Sequence, residues 1–136
     1  MSAIDTASTE YAQASSALAD LYTAIPLMRG SLVASVDGRV LVADLDESRQ
    51  GATAAVVASS FALGAKLAEV IGTSGVEEMT VQTDDGYICL YAVGERAVLA
   101  TLAMPDANLG LLNLRSRETA VSLAADVSVL LERTSS

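Results

Sequence analysis

The sequence predicts an α+β sandwich, a five-stranded antiparallel sheet with helices on both faces. Three observations predict it. The dipeptide Asp37-Gly38 splits the apolar run LVASVDGRVLVADL into two strand-like halves. Turn residues at Asp84-Asp85-Gly86 and Gly94-Glu95-Arg96 cut residues 76–104 into three strand-length pieces. Around these lie three stretches whose apolar residues recur at three-four spacing. The order is helix, strand, strand, helix, strand, strand, strand, helix.

The first helix is expected over Ser8–Thr23. Tyr11, Ala14, Leu18, Leu21 and Ile25 make one apolar stripe, Ser8 suits an N-cap, and Glu10 suits the positive end of the helix. Pro26 ends it or falls just beyond. Two Val- and Leu-rich strands follow, Ser31–Val36 and Arg39–Asp44, joined by the Asp-Gly turn in which Gly takes positive φ without steric cost. The charged segment Leu45–Gln50 reads as a loop.

A second helix is expected over Gly51–Ile71, stopped by Gly72. Val56, Leu63, Leu67, Val70 and Ile71 share one face, which is expected to lie on the sheet. The neighbouring face, with Val57, Phe61, Gly64, Ala65 and Ala68, is also apolar. The remainder holds Ala55, Ala58, Ser59, Ala62, Lys66 and Glu69. A helix with a single buried face is more polar than this. The second helix is therefore expected to touch more than its own sheet.

The meander comprises Val76–Thr83, Tyr87–Val93 and Ala97–Met104. Pro105-Asp106-Ala107-Asn108 breaks the pattern. A last helix runs to about Glu132, with Leu109, Leu112, Ser116, Ala120, Leu123, Val127 and Leu130 on one stripe. That stripe allows a start at Asn108; Asn113 or Ser116 is the alternative. Thr134-Ser135-Ser136 is expected to fray. The 136 residues suit one domain, with a core of about residues 8–132 and no internal repeat or linker.

Composition narrows the function. The net charge is −9, which argues against nucleic acid and against an anionic membrane surface. The start MSAIDTASTEY lacks the basic and apolar segments of a secretory signal. No apolar run is read as reaching a bilayer-spanning length, since Ser59, Ser60, Lys66 and Glu69 interrupt Gly51–Ile71. Cys89 is the single cysteine, so no intrachain disulfide forms. These features together suggest a cytoplasmic protein.

The chemistry-bearing residues are few. With no histidine, Ser-His and Cys-His nucleophile pairs are excluded within one chain, and one Cys without His makes no zinc site. Glu77-Glu78 and Asp84-Asp85 pair carboxylates, but the second is what a turn asks for and the first opens a strand. Gly64-Ala65-Lys66-Leu67 lacks the upstream glycine and following hydroxyl of a phosphate-binding loop. Cys89 reads as a buried inert thiol. Tyr87 and Tyr91 flank it and read as packing residues. Arg29, Arg39, Arg49, Arg96, Arg115, Arg117 and Arg133 are scattered and read as solvated charge, although an arginine supplied in trans can stabilise phosphoryl transfer. No catalytic residue, metal or cofactor is assigned.

The ordered set resembles the roadblock/light chain seven family. Leu18-x-x-Leu21, LVASVDGRVLVADL, AAVVASSFALGAKLAEVIG, EEMTVQTDDGYICLYAVGERAVLATLA and ANLGLLNLRSRETAVSLAADV carry the resemblance. It spans roughly residues 18–131. Ser35-x-Asp37-Gly38 and Asn108-Leu109-Gly110-Leu111-Leu112 look the most family-like. The resemblance implies a profilin-like or longin-like fold and a dimer in which the alanine-rich helices pack across a two-fold and the third strands join. It also implies the bacterial stand-alone type, non-enzymatic partners of small Ras-like GTPases in signalling, polarity or motility; eukaryotic relatives include dynein light chains. The surplus apolar face then supplies the homodimer seam: Val57, Phe61, Gly64, Ala65 and Ala68, with Thr80 and Gln82 on the strand alongside. Ala55, Ala58, Ala62, Lys66 and Glu69 become the candidate GTPase surface. A scaffold without effect on nucleotide and a small-molecule sensing domain are the alternative readings.

Overall fold

The computed structural model describes the backbone of residues 3–135 and the side chains of residues 9–132. Helix α1 (Ala3–Ala24) leads into the hairpin β1 (Met28–Ser35) and β2 (Val40–Asp44). Helix α2 (Glu47–Val70) follows, then the meander β3 (Glu78–Thr83), β4 (Gly86–Val93) and β5 (Ala97–Ala103), and last α3 (Leu109–Ser135). The strands form one antiparallel sheet in the order β2-β1-β5-β4-β3. The expected α+β sandwich is the fold observed.

Strand alternation sends side chains to two faces. On one face Val33, Cys89, Tyr91, Val93 and Leu99 pack with Leu18, Leu21, Leu112, Leu123 and Val127 from α1 and α3. On the other, Leu32, Ala34, Leu90, Val98 and Ala100 pack with Ala54 and Val57 of α2. Helix α2 lies over β1, β2 and β5.

The β1–β2 turn is held by its own side chains. The Ser35 hydroxyl donates to the Asp37 carboxylate and accepts the Arg39 amide at 3.0 Å. Gly38 adopts φ +94°, the left-handed value that glycine tolerates best. The Ser35 hydrogen bond, aided by Arg39, holds the Asp37 carboxyl below its ordinary value.

Several boundaries and one orientation differ from expectation. Helix α1 starts at Ala3, so Ser8 lies inside it and is not its cap; nothing in Ala3–Ala7 breaks a helix. Tyr11 is half exposed and does not belong to the buried stripe, which begins at Ala14. Helix α2 begins at Glu47, four residues before the expected Gly51. Glu47 suits the positive end of that helix, and the Gln50 amide ties back to the Leu45 carbonyl at 2.9 Å. β1 starts at Met28 and β3 at Glu78, against the expected Ser31 and Val76. The early start of α3 is the one found: the Asn108 side chain accepts the Leu111 amide at 3.0 Å, as an N-cap does. The helix runs to Ser135, and Ser136 of the expected frayed tail lies outside the described residues.

The largest correction concerns α2, which is rotated relative to expectation. Val56, Leu63, Leu67 and Val70 point away from the sheet, each more than 60% exposed, as does Ile71 just past the helix end. The sheet is met by Ala54, Val57, Ala58 and Phe61. Small residues let the helix axis sit close to the strands, and bulky aliphatic ones would hold it off. Gly64 marks this approach, since a Cβ there would stand 2.7 Å from the Met79 Sδ.

Candidate interaction surface

The outward stripe of α2 has a regular spacing. Val56, Ser60, Leu63, Leu67 and Val70 follow one another at intervals of four and three, the pattern of a helix that packs along another helix. Beside it the sheet is open, because α2 covers β1, β2 and β5 and leaves much of β4 and β3 bare. Two cavities of about 490 and 510 Å³ run along this gap. They share Ser60 and Val81 and are floored by Met79, Val81, Ile88, Leu90 and Leu102. The result is one apolar groove, walled by the helix and floored by the sheet.

The residues assigned to a seam from the sequence divide. Val57 and Ala68 are buried within the chain, and Phe61 packs against the α2-side core. A side chain already enclosed by its own fold has no surface to offer, so Val57 and Ala68 are corrected to core residues. Gly64 lies half-buried over Met79, while Ala65 is exposed. Thr80 and Gln82 are exposed on β3, and Thr80 pairs with Cys89, placing both on the α1/α3 face. β3 is a sheet edge, hydrogen-bonded only to β4. Of the expected partner surface, Ala58 is buried, which corrects its assignment, whereas Ala55, Ala62, Lys66 and Glu69 are exposed. Lys66 and Glu69 approach to 3.8 Å as an exposed pair.

Sequence reasoning set Val56, Leu63, Leu67 and Val70 on the sheet and did not single out Val81. The usable signal was size: large aliphatics on one face, Ala and Gly on the other.

The remaining chemistry-bearing groups are structural in their contacts. Cys89 is a free, buried cysteine whose thiol is pushed up by burial. Burial also raises the Tyr91 hydroxyl, which donates to the Asn113 side chain at 2.5 Å. Arg117 is not loose surface charge: both its Nε and a terminal guanidinium nitrogen reach the Glu78 carboxylate, the latter at 2.9 Å, clamping α3 to the start of β3. That contact holds the Glu78 carboxyl below its ordinary value. Asp84 and Asp85 sit in the β3–β4 turn. Among the described residues, no group of three or more His, Cys, Asp or Glu is placed to hold a metal.

Residues 14–103, more than half of the chain, match the family model of the Roadblock/LC7 domain. The chain belongs to the Roadblock/LC7 family. The match ends with β5, so α3 and its Asn108–Leu112 segment lie beyond it. A Roadblock/LC7 domain from Streptomyces avermitilis is 21% identical, covers 84% of this chain and 97% of its own, and superposes with a TM-score of 0.80. The gliding protein MglB of Thermus thermophilus is 22% identical over 86% of this chain and 90% of its own, with a TM-score of 0.79. Acanthamoeba castellanii profilin IA shares the architecture at 13% identity, 85% and 96% coverage, and a TM-score of 0.53. The expected profilin-like fold is thus the one found. No curated protein matches the chain.

By length and composition α2 is apolar enough to cross a membrane, contrary to the reading drawn from its interrupting polar residues. Its inner face is packed on the sheet through Ala54 and Val57, while its outer face is exposed.

Proposed function

We propose that this roadblock protein is a non-enzymatic homodimeric regulator or adaptor of a small Ras-like GTPase, acting in the cytoplasm in bacterial signalling or polarity. The observation that carries the dimer is the α2 stripe beside an uncovered sheet. Val56, Leu63, Leu67, Val70 and Val81 expose aliphatic surface next to the groove. The chain's own α2 presents the matching occupant. A two-fold uses the same patch on both copies, each stripe filling the other's groove. Covering each of these side chains stabilises the pair by about 1.5 kcal/mol. The free edge of β3 lies at the same boundary, with Thr80 and Gln82 on its opposite face.

Regulation of a GTPase rests on the family resemblance. Such a protein acts by positioning the GTPase's own loops. Ala55, Ala62, Lys66 and Glu69 form the partner-facing surface in this reading. The test is GTP turnover by a small Ras-like GTPase encoded beside this protein's gene, with and without the protein. A change in turnover together with a measurable complex supports the reading. A complex without any change reduces the protein to a scaffold, and the absence of both overturns it.

A further inference from the structure

A second cleft lies at the end of the sheet where α2 begins, outside the proposed seam stripe. It has a volume of about 450 Å³, within the usual range of small-ligand sites. Leu45, Ile88, Leu102 and Ala103 give it an apolar floor. Arg29 of β1 and Arg49 of α2 line it, twenty positions apart in sequence and brought together only by the fold. Two features of these arginines stand out.

First, the chain has 17 acidic and only 8 basic residues, yet two of the basic ones line this one cleft. Second, among the described residues neither Arg29 nor Arg49 makes an ion pair, although Asp46 and Asp85 line the same cleft. Asp46 instead accepts the Ser48 hydroxyl at 2.7 Å. Among the described residues, Arg39, Arg115 and Arg117 each find a carboxylate, whereas Arg29, Arg49 and Arg96 do not, and of these three only Arg29 and Arg49 line one cleft. Two unpaired guanidiniums on one concave site match a phosphate, which accepts several charge-assisted hydrogen bonds at once. The carboxylates of Asp46 and Asp85 suit hydroxyl groups on the remainder of such a ligand. Gly86 also lines the cleft; it has φ +141°, and a Cβ there would stand 2.0 Å from the Ala103 carbonyl oxygen, so only glycine lets the two strands lie this close beneath it.

We propose that the Arg29–Arg49 cleft binds a small phosphate ester of a hydroxylated compound, with the phosphate on the two arginines. The proposal does not rest on the dimer or GTPase readings, although the cleft shares Ile88 and Leu102 with the floor of the α2 groove.

The experiment follows backbone amide NMR shifts of the full chain during titration with glycerol 3-phosphate, inorganic phosphate, succinate or sodium chloride at matched ionic strength. Saturable shifts confined to residues around Arg29, Glu47–Arg49 and Gly86, with glycerol 3-phosphate the tightest, support the proposal. Arg29→Gln and Arg49→Gln should each weaken binding by about tenfold, the loss expected for one charge-assisted contact. Both side chains are exposed, so the variants should keep the parent melting temperature, and Arg49→Lys should bind between parent and Gln variant. Shifts that never saturate, or that chloride reproduces, overturn the site. So does binding that neither substitution weakens. Succinate binding as tightly as glycerol 3-phosphate overturns the assignment to phosphate.

Discussion

Gly64 of α2 rides directly over Met79 of β3, and a Cβ on Gly64 would stand 2.7 Å from the methionine Sδ. The contact fixes how near the helix comes to the strand and therefore how deep the groove beside it is. Two substitutions separate the parts of this argument. Alanine gains roughly 1 kcal/mol of helix propensity, and the flexible methionine can yield. Gly64→Ala should therefore leave stability within about 1 kcal/mol of the parent. Gly64→Val adds bulk that Met79 cannot clear and should destabilise by about 1–3 kcal/mol in urea unfolding. Equal stability of the valine variant and the parent would show that the approach is not tight.

The Glu78–Arg117 pair makes a prediction about acid. The Glu78 carboxyl is held below its ordinary value of 4.5 chiefly by the Arg117 hydrogen bond. A group whose folded value is depressed adds stability above its unfolded value, and that stability is lost as pH falls through the folded one. The parent should therefore lose part of its stability below about pH 4.5, and Glu78→Gln should show a shallower decline over the same window. Melting temperatures from pH 7 to pH 3 measure it. Identical slopes in both proteins would mean that the pair contributes nothing in solution, as many exposed pairs do.

Ser31 is fully buried in β1, and among the described residues its hydroxyl has no hydrogen-bond partner. An unpaired buried hydroxyl is a standing cost, since water would have satisfied it. Ser31→Ala removes the group with little change in volume. The variant should gain up to about 1 kcal/mol in denaturant unfolding. A loss of that size would mean that the hydroxyl is satisfied in solution.

The strands and turns were legible in the sequence because their signals are local. Asp37-Gly38 and Asp84-Asp85-Gly86 need only their neighbours to make a turn, and the alternation around them divides the strands between two faces. The ends of α1 and α2 were less legible: Ser8 and Leu45–Gln50 carry residues that serve equally as cap, loop or first turn. The orientation of α2 was misread for a different reason. Apolar periodicity reports that a face is covered, not by what. Leu63 and Val57 are both strongly hydrophobic, and only the packing of Ala54, Ala58 and Gly64 against the strands decides which of the two stays outside. The Arg29–Arg49 cleft was invisible because its halves lie on separate elements.

The central claim is that the exposed stripe of α2 is a seam between two copies. Its most direct test is the solution mass of the parent beside Leu63→Asp and Ala55→Asp, read by sedimentation equilibrium over a range of concentrations. Both substituted positions are exposed on α2, but only Leu63 lies on the stripe. The parent and Ala55→Asp should sediment at about twice the chain mass of 14.0 kDa, and Leu63→Asp at the single-chain mass with its fold intact by circular dichroism. A parent that stays at the single-chain mass throughout, or a Leu63→Asp protein that dimerises as well as the parent, would contradict the account.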